Sequence, residues 1–292
     1  MFTEAAKYKG KTWRLALVAL CVIAAGPVPA ADELTWRELD SENTVFMELE
    51  NQLVVVELNP VFAPATVKQF KRLAQEHFYE GLSFYRVIDG FVAQGGDGSD
   101  LGELSNVPLI DAEFEIEWDK ELPFMPVQSP DMFAAETGFS KGFAVARDKS
   151  KNRAWLAHCP GVVAMARNDD PDSSRTDFYI VIGQAPRYLD RNMNIFGRIV
   201  YGMDVVQGIN RGPVLNNGII DDDTGRTRIS KLRMLNDIPE DDRLSTYVMN
   251  THNEAFEDLL KDRRNRKQKF FHNKPPAVLD VCQVPVAGRI TK

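Results

Sequence analysis

Cysteine and histidine are scarce in this chain, three and four among 292 residues. The histidines, His77, His158, His252 and His272, and the cysteines, Cys21, Cys159 and Cys282, show no zinc-finger or zincin spacing, so neither a metal nor another cofactor is expected. Excess positive charge is also missing: the formal net charge is −7, and an acidic chain lacks the basic face that nucleic-acid binding requires. Long apolar runs are absent too. The most extended, "LALVALCVIAAG", falls short of the roughly 20 residues of a membrane-spanning helix. His158 and Cys159 are adjacent, and neighbours on a strand point to opposite faces, which argues against a Cys/His nucleophilic pair. "QGGDGSDLG" has neither the spacing nor the following helix of a phosphate cradle.

The apolar run follows Lys7, Lys9, Lys11 and Arg14 and precedes small residues at a peptidase-like cut, the order of a secretory signal peptide. Residues 1–30 are therefore expected to be removed, leaving a soluble exported protein; an uncleaved N-terminal anchor is the competing reading. Residues 1–30 carry four cations and one anion, so cleavage takes the net charge from −7 to −10. Two cysteines, Cys159 and Cys282, survive cleavage into a compartment where disulfides persist. A disulfide between them is the expectation, two buried thiols the alternative.

"TVFMELENQLVVVEL" reads as a β-hairpin. After Pro60 and Pro64 the period changes, and Val67, Phe70, Leu73 and Ala74 mark one face of a helix. Short β-like runs follow at "SFYRVI", "FVAQ", "GVVAMAR", "FYIVIG" and "NIFGRIVYG"; "MDVVQGI" looks helical and "TRISKLRML" like a closing strand. Many short strands with few helices predict a closed all-β structure, since closure removes exposed edges. Residues 115–154 stand apart as an insertion of little periodicity, too long for an ordinary loop. Its aromatic and apolar residues, Trp118, Phe124, Met125, Met132, Phe133, Phe139 and Phe143, suggest that it packs on the main body. Composition shifts again at 236–292, where "NEAFEDLLKDRRNRKQKFF" places acids early and bases late in a helix, as the helix dipole favours. Its six cations between Lys261 and Lys269 suit a solvated face, or contact with anionic lipid or a partner.

The informative stretch is "FYRVIDGFVAQGGD", with an arginine among apolar neighbours and no nucleophile nearby. With "GVVAMAR", "DFYIVIG" and "YLDRNMNIFGRIVYGMDVV" in order, it resembles the cyclophilins, the family of peptidyl-prolyl cis/trans isomerases, from about Thr44 to Leu235. The "MAR" and "DPDS" wording resembles the bacterial branch, which with the leader implies a periplasmic location. The resemblance implies a closed eight-stranded antiparallel barrel capped by two α-helices. With the composition shifts, the expected organisation is a signal peptide 1–30, an isomerase domain 31–235 carrying the insertion 115–154, and a C-terminal extension 236–292 with one helix. It assigns catalysis to Arg86 and Gln94, and the proline pocket to Phe91, Val92, Ala166, Tyr179 and Leu189. Met165 sits beside them on the pocket strand, and Tyr188 takes a rim position often held by tryptophan. Asp177 replaces a usual glutamine and Met193 a usual histidine, while Val92 and Tyr179 replace methionine and phenylalanine. Asp177 can pair with Arg86 and weaken it.

These residues suit amide rotation. The C–N bond resists twisting by about 18–20 kcal/mol because its nitrogen lone pair is delocalised. The X-Pro isomers differ by only about 0.5–1 kcal/mol, so a catalyst has only a barrier to lower. In the twisted state the prolyl nitrogen becomes an acceptor, and a guanidinium aimed at it binds that state better than either planar one. No nucleophile is required. The expected function is isomerisation of X-Pro bonds in unfolded or partly folded exported proteins, a folding-assisting or chaperone role. The alternative is a non-catalytic proline-peptide binding module or holdase. The insertion is expected to modulate which folded clients fit the groove without affecting small peptides.

Overall fold

In the Thr44–Leu58 stretch, β-branched and aromatic residues form two strands joined at Glu50 and Asn51, both with positive φ (49° and 70°). That is the backbone a two-residue hairpin turn needs to match the twist of its strands. The computed structural model describes residues 35–98 and 106–291; the expected signal peptide and Cys21 lie outside the described residues. In chain order the strands are β1 (Trp36–Glu38), β2 (Thr44–Leu49), β3 (Gln52–Leu58), β4 (Ser83–Ile88), β5 (Val92–Gly96), β6 (Ile116–Glu117), β7 (Met125–Gln128) and β8 (Glu136–Ser140). They continue as β9 (Phe143–Asp148), β10 (Arg153–Leu156), β11 (Val162–Met165), β12 (Phe178–Val181), β13 (Ile195–Tyr201), β14 (Ile229–Met234), β15 (Ser245–Met249) and β16 (Gly288–Thr291). The α-helices are α1 (Pro64–Gln75), α2 (Met203–Gln207) and α3 (Glu254–Asn265).

Eight strands form an antiparallel sheet in the order β14-β2-β3-β13-β11-β12-β5-β4. The expectation of a closed barrel is corrected here: the sheet is open, with no ladder joining its edge strands β4 and β14. Those edges meet at the isolated Ser83–Arg228 bridge and at a few bonds beside it, such as Gly81 N–H to Ile229 C=O at 2.8 Å and Phe84 N–H to Thr227 C=O at 2.9 Å. Both edge strands carry a bulge, β4 at Phe84/Arg86 and β14 at Ile229/Lys231, and a bulge bends its strand and interrupts regular pairing. The helix expectation is corrected as well: three α-helices are present among the described residues, not two. The third, α3, belongs to the C-terminal extension, where Asn253 accepts a cap bond from Phe256 N–H, Glu254 and Glu257 open the helix and Arg263 and Arg264 close it.

Helix α1 buries Val67, Phe70, Leu73 and Ala74 against the inner face of this sheet. Its first turn is capped from a distance, since the Glu113 carboxylate accepts from Ala65 and Thr66 N–H at 2.8 and 2.9 Å. Phe70, Tyr79, Phe84, Phe178 and Phe196 interlock beneath it with ring centroids 4.8–5.9 Å apart.

The insertion is not a loop. It folds as a five-stranded antiparallel sheet in the order β6-β10-β9-β8-β7. Phe139 and Phe143 are buried, and Trp118, Phe124 and Met125 are partly buried in the same apolar cluster, which also takes in Phe256 and Leu260 of α3 and Val162, Ile195 and Tyr179 of the eight-stranded sheet. Met132 and Phe133 do not pack this way; both are exposed. A third sheet, β1-β15-β16, joins the N-terminal strand to the extension. Arg37 on β1 and Arg198 on β13 both bind the buried Glu57 carboxylate on β3, tying that sheet to the main one. Cys159 and Cys282 are joined by a disulfide.

Candidate active site

A one-residue irregularity places the arginine. Phe84 pairs with Gly95 across β4 and β5 and Arg86 with Gln94, leaving Tyr85 as the extra residue of a bulge. In a regular strand Phe84 and Arg86 would share a face. With the alternation broken, Phe84 and Val87, three apart, both enter the core while Arg86 is only half-buried. Register then carries the row onward: Gln94 lies opposite Tyr179 on β12, and Tyr179 opposite Ala164 on β11. Directly opposed residues point to one face with Cβ atoms about 4.5–5.5 Å apart, so Arg86, Gln94 and Tyr179 stand side by side. The second glycine after Gln94 is obligatory for the backbone. Gly96 has φ +133°, and a Cβ there would come within 2.8 Å of Asp177 Cα.

Arg86 Nη1 donates to Gln94 Oε1 at 3.0 Å, Gln94 Nε2 donates to the Tyr85 hydroxyl at 2.6 Å, and that hydroxyl donates to Asp177 Oδ1 at 2.9 Å. The relay fixes the amide of Gln94 with its oxygen toward the guanidinium, which is thereby oriented in turn. Arg86 Nη2 also reaches Asn217 Oδ1 at 3.5 Å. The ion pair that Asp177 could have formed with Arg86 is not made: Asp177 accepts from Tyr85, from Gly98 N–H at 3.0 Å and from Thr176 Oγ1 at 2.8 Å, and is linked to the arginine only through Tyr85 and Gln94. The reason is geometric, because the bulge at Tyr85 interposes the phenol.

Burial, reinforced by the Asp177 charge, pushes the Tyr85 hydroxyl well above its ordinary range and keeps it a donor. Burial likewise raises the Asp177 carboxyl above its usual value against the bonds from Gly98, Thr176 and Tyr85. The folded protein thus holds this proton more tightly than the unfolded chain, a contribution complete below the ordinary carboxylate range and lost as pH rises through the raised value. Asp177→Asn is expected to be more stable than wild type at pH 7, with the difference shrinking toward pH 4. Urea denaturation at the two pH values checks this; a variant less stable at pH 7 would refute it.

Val92 and Tyr179 are buried and Phe91, Ala166 and Met193 partly buried in one apolar cluster beside this row. Leu189 is half-buried, and Tyr188 is 69% exposed, on the 3₁₀ turn Arg187–Leu189 that forms the rim. Met165 is not brought to this set. It pairs with Phe178 on the opposite face of the sheet and is buried in the inner core. Reasoning from sequence missed Tyr85, Asn217, His158, Arg187 and Asp190. The only trace of the last three is the extra hydroxyl of Tyr179, which a buried position requires to be paired; it meets His158 Nε2 at 3.0 Å. Among the described residues no group of three or more His, Cys, Asp or Glu side chains is placed to hold a metal ion, and no helix is long and apolar enough to cross a membrane.

Residues 44–233 match the family described as cyclophilin type peptidyl-prolyl cis-trans isomerase/CLD. A probable peptidyl-prolyl cis-trans isomerase of Brucella suis biovar 1 (strain 1330) is 31% identical over 218 residues, 70% of this chain and 88% of the relative. The human peptidyl-prolyl cis-trans isomerase-like 1 is 28% identical over 165 residues, 56% of this chain and 78% of its own. Among solved structures, cyclophilin AquaCyp293 from Hirschia baltica superimposes with a TM-score of 0.74 at 30% identity, covering 89% of this chain and 95% of that one.

Proposed function

Since the chain belongs to the cyclophilin-type peptidyl-prolyl cis/trans isomerases, and is such an isomerase acting on proline-containing polypeptides, we propose that Arg86 is the donor that lowers the barrier to rotation. The observation that carries this is the row Arg86–Gln94–Tyr179: a guanidinium oriented by a fixed amide at the edge of an apolar pocket. The proline ring seats on Phe91, Val92, Tyr179, Leu189 and Met193, whose surfaces exclude water. The guanidinium then meets the pyramidal nitrogen in a setting of low dielectric. Turnover of an Xaa-Pro tetrapeptide by wild type and Arg86→Ala is the test. Two features favoured the non-catalytic alternative, Asp177 beside Arg86 and the two added segments, and the relay through Tyr85 removes the first of them.

The same proposal extends to location. The basic and apolar leader and the Cys159–Cys282 disulfide both favour an oxidising compartment, which supports export to a periplasm and a role in folding exported proteins. The Brucella and Hirschia relatives support the bacterial branch. On this reading residues 31–235 are the isomerase domain and 236–292 an extension that braces the insertion, with Lys267, Lys269 and the 82% exposed Phe270 free to meet anionic lipid at a membrane surface. Fractionation of the native host is expected to give a periplasmic species whose mass begins at Ala31. A full-length cytosolic species would contradict export, and failure to sediment with anionic vesicles at low salt would contradict lipid contact.

A further inference from the structure

Beneath the rim of the pocket lies a chain of buried charge that starts in the insertion. Arg187 opens the 3₁₀ turn bearing Tyr188 and Leu189, yet its own side chain is only 3% exposed. Two carboxylates share its guanidinium: Asp190 Oδ2 accepts from Nε at 2.7 Å, and Asp131 Oδ1, on the loop between β7 and β8, accepts from Nη2 at 3.2 Å. Phe133 of that loop lies under the guanidinium, 5.3 Å from its ring centre. Asp190 reaches further, accepting from Trp155 Nε1 at 3.3 Å and from the backbone N–H of His158 at 3.0 Å, and facing His158 Nδ1 at 3.4 Å. With Nδ1–H turned to Asp190, Nε2 of the fully buried His158 accepts the Tyr179 hydroxyl proton at 3.0 Å. Burial alone would raise the Asp190 carboxyl, but the His158 bond and the Arg187 charge outweigh it and hold the group ionised below its ordinary range.

We propose that Asp131 is a positioning residue for the proline pocket: by holding Arg187 it fixes the turn that carries Leu189 and, through Asp190 and His158, the ring of Tyr179. Each link is a buried charge or a buried polar atom, and such groups tolerate little displacement because an unpaired one is costly at low dielectric. The consequence departs from the sequence expectation that the insertion leaves small peptides unaffected. Asp131 touches no substrate, so its removal loosens the pocket and weakens ground-state and transition-state binding alike, leaving the step on the enzyme nearly unchanged.

The inference rests on the pocket reading above, and NMR exchange spectroscopy of the full mature protein with an Ala-Pro-containing tetrapeptide separates the two. Asp131→Ala is expected to raise the peptide Kd about 3- to 10-fold, the loss of roughly one hydrogen bond, with the bound-state exchange rate changed less than about twofold. Asp131→Asn, which keeps an acceptor for Arg187, is expected to stay near the wild-type Kd. An unchanged Kd in Asp131→Ala, or equal impairment in Asp131→Ala and Asp131→Asn, overturns the proposal. Should Asp131→Ala fail to fold, Arg187→Lys reads the same contact, since one ammonium cannot replace the fork spanning two carboxylates; a wild-type Kd there overturns it equally. Arg86→Ala in the same series removes exchange. Exchange that survives in that variant would overturn the pocket reading itself.

Discussion

Replacing Arg86 by alanine is expected to lower kcat/KM on an Xaa-Pro tetrapeptide by about 10²- to 10³-fold, the usual cost of deleting one preorganised donor from a site that stabilises developing charge. The effect belongs in the exchange step rather than in binding, because neither planar isomer offers the prolyl nitrogen as an acceptor and the guanidinium gains its partner only as the amide twists. Arg86→Lys should recover little. A lysine ammonium keeps the charge but not the planar fork that donates to Gln94 and Asn217 while leaving a further N–H for the substrate. Tyr85→Phe is the milder companion, expected to cost about fivefold to tenfold: Gln94 Nε2 loses its acceptor and the amide is free to turn, but the arginine remains. Exchange spectroscopy on the three variants gives the order. An Arg86→Ala enzyme within threefold of wild type would remove the arginine from the mechanism.

How far the site could be read beforehand follows from what sequence neighbours can and cannot encode. The strands of the eight-stranded sheet were legible because β-branched and aromatic runs sit between glycine-rich turns, and α1 because its period changes after Pro64. Whether the sheet closes was not legible, since that depends on pairing between β4 and β14, far apart in the chain and both bulged. The same bulge hid the partner of Asp177. Simple alternation puts Tyr85 on the face opposite Arg86, and only the extra residue lets the phenol stand between them.

The insertion concealed its strands for another reason. They are two to six residues long, broken by Pro123, Pro126 and Pro130, and their apolar faces are covered by α3 and by the residues after it, more than a hundred positions away. Gly138 illustrates the dependence: a Cβ there would lie 2.3 Å from Met125 C=O, a demand that exists only once β7 and β8 are paired. Local pattern carries no such information. The Asp131–Arg187–Asp190–His158 chain was invisible on the same grounds, because it draws single residues from a loop, a 3₁₀ turn and a strand end.

That dependence on distant segments sets the second large effect. A Cys159→Ala/Cys282→Ala variant is expected to lose about 5 kcal/mol of stability, the chain-entropy value for a crosslink closing 123 positions, and to melt roughly 10–20 °C lower. The loss should be uneven. Cys159 lies between β10 and β11, at the seam between insertion and main sheet, while Cys282 lies on the extension, and the two sit in the cluster that holds all three together. Without the bond, the extension still has Arg264 donating to Val127 C=O and Leu279 N–H donating to Gln128 Oε1, contacts that couple it to β7. Opening should therefore release extension and insertion as one unit, while the eight-stranded sheet keeps the core built on Phe70, Phe84, Phe178 and Phe196. Hydrogen exchange should show the largest loss of protection in residues 125–156 and 245–291 and a smaller one, set by the global loss of stability, in β2, β3 and β13. Calorimetry of the variant, and of wild type under reductant, gives the melting shift. A fall of less than 3 °C would show that non-covalent packing alone holds the extension in place, and a loss of protection as large in β2, β3 and β13 as in the extension would show that the molecule opens as a single unit.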